Sequence, residues 1–325
     1  MGDRFGFVIL NYGTMDETIE CVRSIGKHVK EEHEIVIIDN ASPDGSGEAL
    51  RQLYSDISNI KVIVNEGNLG YACGNNVGIA RARQDGCSYV VVLNSDTRLM
   101  QDEFCEIVRR EYIKKKYAVI GPEIYKQGQA SNDNPGRDRA MSNRKLHAFI
   151  FMNRVLLALS YVSLDAAFNR IFNEYVESKK SDIRIKDNVE NVALHGCCLV
   201  FTPVYFERFR GFDNRTYMYM EEDVLYHHLL KAGLVPAYVP QLHIEHLEEA
   251  ATNKVFSGVQ KRRFKYRNYI KSSKVMLAID KENVMTISAA LRNIPKTPQK
   301  AENPLLAVLM DDEEDIDTPD AGSEK

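Results

Sequence analysis

Short apolar runs alternate with amphipathic stretches through the N-terminal half of the chain. Phe5–Leu10 (FGFVIL) predicts a buried strand ending at Asn11-Tyr12-Gly13, and Met15–His28 places Ile19, Val22 and Ile25 on one helical face. Glu34–Ile38 predicts a second strand, closing on Asp39-Asn40-Ala41-Ser42-Pro43-Asp44-Gly45-Ser46. A third, Ile60–Val64, runs into Asn65-Glu66-Gly67-Asn68-Leu69-Gly70-Tyr71 and a helix over Ala72–Gln84. The strand Tyr89–Leu93 opens the stretch Val90–Leu99 (VVVLNSDTRL), an unbroken β-branched run that stops abruptly at Asn94-Ser95-Asp96. Such a run suits a central parallel strand covered on both faces. Strands that alternate with helices and close on polar or glycine-rich residues predict a parallel sheet with one functional edge. Ligands bind such sheets beyond the carboxyl ends of the strands.

Further along, the pattern predicts a helix at Asp102–Lys116, a strand at Tyr117–Ile120 and a polar loop over 127–145. Leu146–Tyr175 is apolar and helical, but Asn153, Arg154 and Asp165 interrupt it, so it does not span a bilayer. Strand character returns at Val192–Phe201, followed by a helix at Val224–Lys231 and strands at Val235–Val239 and Leu242–His246. Lys261–Leu277 is a basic amphipathic helix, and from Pro295 the composition is that of a disordered tail. The expected organisation is a first half over 1–125, a loop and apolar helical insert over 126–190 and a second half over 191–250. A C-terminal helical region over 251–294 and an acidic tail over 295–325 complete it.

Charge refines this picture. The formal net charge of the 325 residues is −4, yet residues 311–325 hold eight acids and one lysine, which leaves the body at +3. A mildly basic body tolerates anionic ligands such as nucleotides but is no nucleic-acid footprint. Six cysteines without a CxxC pair predict reduced thiols, hence a cytoplasmic setting. Met1-Gly2-Asp3-Arg4 leads directly into a strand, so no signal peptide is expected, and no run reaches the length of a membrane span.

Several groups carry candidate chemistry. Asp39, at the tip of the second strand, can accept from a nucleobase imide or a ribose hydroxyl, while Asn40 and Ser42 beside it read either as ligand contacts or as turn formers. Asn94-Ser95-Asp96 suits a divalent cation holding a phosphate, or else a polar turn before the next helix. Gly70, Gly74 and Gly78 form a stripe that is neither G-x-G-x-x-G nor a Walker loop. Glycine there lets backbone approach a ligand or another element, and Asn68, Asn75 and Asn76 are placed to touch a ligand. His195-Gly196-Cys197-Cys198 and Gly211-Phe212-Asp213 precede the acidic run Glu221-Glu222-Asp223. Helix capping explains one of those three acids; at least one other is expected to face a site and act as a base. His243 and His246 point different ways on an extended segment, and His246 matters only if the fold brings it to Asp96.

Taken in order, FVILNY, VIIDNASPDGS, NEGNLGYACGNNVGI, VVLNSDTRL, HGCCLVF, RGFDNRTYMYMEEDV and AYVPQLHIEHL resemble the family 2 glycosyltransferases, most closely their rhamnosyltransferase-like branch. The resemblance covers about residues 5–125 and 190–250. It implies an α/β fold of the GT-A type: a Rossmann-like, mostly parallel central sheet flanked by helices, here with a helical insert and a C-terminal helical extension. It also implies an inverting transfer from a nucleotide-diphosphate-sugar. By the same resemblance Asn11, Tyr12, Asp39, Asn40, Ser42, Asn68, Gly70, Asn75, Asn94 and Asp96 bind the donor, with Asp39 at the base. Asp96 ends a metal-binding Asp-x-Asp motif, His246 joins it at a divalent metal (manganese or magnesium) or at the diphosphate, and Asp223 is the general base with Glu222 beside it. The chain departs from the family at Asn94, where many members carry aspartate, and in His246-Leu247-Glu248-Glu249, which lacks the usual glycine after the histidine.

The chemistry implied is a single displacement that needs no protein nucleophile, and no credible Ser-His-Asp or Cys-His arrangement is present. A nucleotidyltransferase would carry a glycine-rich basic loop after the first strand, which Asn11-Tyr12-Gly13-Thr14-Met15 is not. A non-catalytic sugar-nucleotide-binding subunit of a synthase would not need Glu222-Asp223. The expected partners are the donor and a saccharide or lipid-linked saccharide acceptor used in polysaccharide assembly. The stretch 146–175, with Arg137, Arg139, Arg144, Lys145 and Arg154 nearby, is read as a peripheral contact with the inner face of a membrane, as a homodimer interface, or as a hairpin on its own core.

Overall fold

The computed structural model describes residues 3–126, 128–131, 133–166, 185–247 and 258–282. The expected tail, the second part of the apolar stretch (167–175) and Glu248-Glu249 lie outside the described residues. In the first half, β1 (Phe5–Asn11), α1 (Met15–His28), β2 (His33–Asp39), α2 (Ser46–Leu53), β3 (Ile60–Val64), α3 (Gly70–Gln84) and β4 (Tyr89–Asn94) alternate as the apolar pattern predicts. Helix α2 escaped that pattern because Leu50 is its one buried apolar side chain. There follow β5 (Thr97–Leu99), α4 (Phe104–Lys115), β6 (Val119–Lys126), β7 (Gln129–Ala130), α5 (Asn143–Ser160) and β8 (Val189–Glu190). The last elements are β9 (Cys198–Phe201), α6 (Pro203–Phe206), α7 (Glu221–Lys231), β10 (Pro236–His246) and α8 (Gly258–Lys281).

The main sheet has the order β3-β2-β1-β4-β9-β6-β10-β5. Its first four strands are parallel. β4 is central, as its apolar composition demands, but it is parallel to β1 and antiparallel to β9. Through β9 the two halves of the sequence form one continuous sheet. Side chains alternate between its faces. Phe7, Ile9, Ile35, Ile37 and Val91 lie in one core with Cys21 and Ile25 of α1, and Val8, Val36, Ile38, Val90 and Val92 in the other with Ile79 of α3. A Cβ on Gly78 would sit 2.3 Å from Val8 Cγ1, so that glycine serves tight packing of α3 on the sheet.

Three expectations need correction. The strand foreseen over Val192–Phe201 shortens to β9, because Ala193 hydrogen-bonds instead to the segment before α5: its N–H donates to Arg137 O (2.8 Å) and its carbonyl accepts from Gly136 N (2.8 Å). The two strands near the C-terminal end of the sheet are one, β10, whose register breaks between Val239 and His243, where Pro240 offers no N–H. The polar loop over 127–145 is partly ordered into β7 and the first turn of α5, where the Ser142 hydroxyl accepts from Lys145 N (3.4 Å). Helices α5 and α8 pack on each other through Phe149 and Tyr269 (ring centroids 5.3 Å apart) and through Arg263, which donates to the Ser160 hydroxyl (3.0 Å). All six cysteines are unpaired.

Candidate active site

The carboxyl ends of β1, β2 and β3 are tied into one polar network. Asn11 donates from its side chain to Asp39 Oδ1 (2.6 Å) and to the Ser46 hydroxyl (3.1 Å), and its Oδ1 accepts from the Thr14 and Thr18 hydroxyls (3.0 Å each). Ser42 binds Asp39 twice, from its main-chain N–H (2.9 Å) and its hydroxyl (2.5 Å). Asn40 donates to Asn68 Oδ1 (3.0 Å) and Gly70 O (3.1 Å) and accepts from Leu69 N (3.0 Å). Asp39 lies against the start of α2, where a Cβ on Gly47 would come within 2.5 Å of its carboxylate carbon. The strand-end carboxylate is therefore rigidly placed by neighbours that the sequence already grouped.

A second focus lies at the tip of β4. Asp96 is buried, and neither carboxylate oxygen receives a hydrogen bond. Antiparallel pairing of β5 with β10 sets Thr97 opposite His246, and this register brings His246 Nε2 to 3.4 Å from Asp96 Oδ1. The His195 ring packs against His246 at 5.7 Å. A buried carboxylate with unused oxygens beside an imidazole suits a hard divalent cation. Among the described residues no three His, Cys, Asp or Glu side chains converge to hold an ion alone. The protein would thus supply a partial ligand set, with a diphosphate and water completing it. His243 turns away and packs on Tyr125 (5.3 Å), as the spacing of three requires.

A cleft of about 470 Å³ lies beside this focus, which His195 and Asn94 separate from it, and extends along the start of α7, where Tyr71, Arg137, Glu221, Glu222 and Asp223 line it among others. The turn that delivers the three acids is strained: Tyr219 and Met220 both have positive φ, +70° and +68°. Two such non-glycine residues cost on the order of 1–3 kcal/mol each and persist only where the surroundings impose them. Here Ser272 of α8 donates to Tyr219 O (2.8 Å), and Val224 N donates to Met220 O (2.9 Å).

The three acids are not equivalent. Burial, reinforced by Glu222, pushes the Glu221 carboxyl up to about 8. Burial and the neighbouring Asp223 push Glu222 up to about 7. Asp223 is raised by burial too, but the Arg137 guanidinium, which donates to its Oδ1, pulls it back. Glu222 instead faces Gly196 and the Tyr71 hydroxyl, which donates to Gly196 O (2.6 Å).

Among the predicted donor residues, Asp39, Asn40, Ser42, Asn68 and Gly70 meet in the strand-end network, with Tyr12 half-buried beside them in sequence. Asn11 has no exposure, and its side chain is spent on holding Asp39. Asn75 has none either and donates back to Tyr71 O (3.0 Å) within α3, so it reaches no ligand in this conformation. Asn76 is spent on both main-chain groups of Phe212 (2.7 and 2.9 Å). Gly70 accommodates protein, because a Cβ there would meet Tyr217 O at 2.2 Å. Arg137 had no place in the sequence-based site, since its partner lies 86 residues away and no spacing announces it.

Residues 7–193, more than half of the chain, match the family described as glycosyl transferase family 2. Glycosyltransferase GlyG of Streptococcus pneumoniae is 24% identical over 133 residues, 41% of this chain and 43% of that protein. The N-acetylglucosaminyl-diphospho-decaprenol L-rhamnosyltransferase of Mycobacterium tuberculosis is 23% identical over 231 residues, 68% of each chain. This chain therefore spans less than half the length of GlyG. A crystal structure of GalNAc-T7 with UDP, GalNAc and Mn2+ shares the fold, with a TM-score of 0.54 and 13% identity over 90% of this chain and 54% of that one. With the match extending over more than half its length on a GT-A-like mixed sheet, the chain belongs to glycosyl transferase family 2.

Proposed function

We propose that this chain moves a sugar from a nucleotide-diphosphate-sugar to an acceptor hydroxyl, with inversion, during glycan assembly. The observation that carries the reading is one cleft lined by Glu222 and Asp223 on one side and by Asn94 and His195 on another, with the buried Asp96–His246 pair directly behind His195. The Asp39 network would seat the nucleotide base, flanked by Tyr12 and Asn68. Asp96 and His246 would hold a manganese or magnesium ion. A bound cation there neutralises charge on a diphosphate leaving group.

Glu222 is the better base of the pair. Its proton affinity near neutrality suits proton removal at cellular pH, whereas Asp223 is committed to Arg137. The acceptor oxygen forms the new bond to the anomeric carbon as its proton passes to Glu222. The bond from that carbon to the diphosphate oxygen breaks, and the nucleotide diphosphate departs with the electron pair. Asp223 and Arg137, paired with each other, set the charge around Glu222 from opposite signs.

A rhamnosyl donor and a polyprenyl-diphosphate-linked acceptor are the first pair to test, because the mycobacterial relative is named for that transfer. Nucleotide diphosphate release from a panel of sugar donors, each with and without acceptor, is the deciding measurement. Release with one donor, abolished by Glu222→Gln with donor binding intact, is expected. Donor binding without release from any member of the panel would make the chain a non-catalytic sugar-nucleotide-binding subunit.

A further inference from the structure

The outer face of α5 has no partner among the described residues that explains its composition. Leu146, Ile150, Asn153, Leu156 and Ser160 are buried. Ala148, Phe151, Val155 and Ala158 recur every three or four residues and so share another stripe, and all four are exposed. Phe151 is 69% exposed, and just past the helix Val162 (64%) and Leu164 (59%) continue the apolar surface. An apolar stripe left exposed beside a buried one belongs against a partner or in contact with lipid. No helix among the described residues is long and apolar enough to cross a membrane, which leaves a helix lying on one.

Charge selects the occupant. α5 carries Arg144, Lys145 and Arg154 and no acid. Its packing partner α8 carries eight lysines and arginines against one acid, Asp280. The two meet at the exposed apolar end: Arg263 stacks over the Tyr161 ring at 4.0 Å, and Arg267 donates to the Tyr161 hydroxyl (3.0 Å). A second copy of this chain docking through the same face would set these cations against their own images, which a two-fold contact penalises. An anionic surface meets both the apolar stripe and its cationic rim.

We propose that the outer face of α5, with the adjoining end of α8, docks this chain on an anionic phospholipid surface. The same two helices supply Phe149 and Tyr269 to the cleft, so docking sets the cleft beside the bilayer. That consequence rests on the proposed transfer to a lipid-linked acceptor; the docking itself does not.

The test is co-sedimentation of the full chain with phosphatidylcholine vesicles, with and without phosphatidylglycerol. Pelleting is expected with the anionic vesicles alone and should fall about tenfold in high salt, as polybasic contacts do. Phe151→Glu with Val155→Glu, and separately Arg144→Glu with Arg154→Glu, should each reduce it by about tenfold. These positions are exposed, and unchanged circular dichroism and thermal midpoints would show that the variants fold. Equal pelleting with neutral vesicles, no pelleting at all, or full pelleting of both double variants overturns the proposal. So does a dimer in sedimentation velocity that Phe151→Glu dissociates. Pelleting needs no turnover, so a failed donor screen with vesicle binding intact removes the proposed reaction and leaves the docking standing.

Discussion

His246 Nε2 stands 3.4 Å from Asp96 Oδ1, although the two residues are far apart in sequence and lie after β4 and at the end of β10. The three-residue strand β5 makes this possible by turning the chain after Asp96 onto β10, and Leu247 N closes the arrangement on Asp96 O (3.0 Å). Asp96→Ala should remove turnover by orders of magnitude while leaving the thermal midpoint near that of the wild type. His246→Ala should cost roughly 10–100-fold, and raising the manganese concentration should restore part of it. Manganese titration calorimetry in the presence of nucleotide diphosphate checks both without turnover. Wild-type manganese affinity in Asp96→Ala would move the cation elsewhere.

The two neighbouring acids of α7 can be separated by isosteric amides. Glu222→Gln should retain donor affinity and lose about 10²–10⁴-fold in kcat, the usual size of a general-base effect. Asp223→Asn should cost less, because it removes the Arg137 ion pair and leaves the base. If Asp223→Asn proves the more damaging, the roles are reversed.

Arg137 governs the same pair electrostatically. With wild-type protein, kcat/KM should fall below pH of about 7 as Glu222 takes up its proton. Arg137→Gln removes a cation that lowers the proton affinity of both carboxyls, so the pair holds its proton to higher pH. The acid limb of the kcat/KM profile should move upward. A limb that stays in place would show Arg137 to be purely structural.

Stability should run against activity. The folded-state proton affinities of Glu221 and Glu222 lie above the ordinary value of 4.5, at about 8 and about 7. Their folded forms thus hold protons that the unfolded chain releases. The resulting stabilisation is present in full below pH 4.5 and is lost as pH rises towards 8. Glu221→Gln should flatten this alkaline loss in thermal midpoints measured from pH 5 to 9. An unchanged slope would show that Glu221 is not held protonated.

Gly47 tests the nucleotide end by itself. A methyl group there would meet the Asp39 carboxylate at 2.5 Å and push it from the Asn11–Ser42 cradle. Gly47→Ala should therefore raise KM for the donor about tenfold with kcat little changed, the mark of lost ground-state binding. A change in kcat alone would detach Asp39 from donor recognition.

The local chemistry of the chain determined most of the first half by itself. Short apolar runs rich in β-branched residues at Phe5–Leu10 and Val90–Leu93 read as buried strands, and their polar ends gather at one sheet edge when the strands are parallel. Asp39, Ser42 and Asn68 were legible because each partner lies on a neighbouring strand end, and the acidic run of α7 because three carboxylates exceed what a helix cap needs. The rest was decided by the tertiary structure. Antiparallel insertion of β9, the turn-back through β5 and the Arg137–Asp223 pair depend on contacts between segments far apart in sequence, and no local periodicity encodes them. Asn75 shows the converse: its residue type and position suggested a ligand contact, but packing of α3 against the sheet turned the side chain into the helix. Spacing along a chain reports which face a side chain occupies, whereas which groups meet across the cleft depends on how distant segments close upon one another.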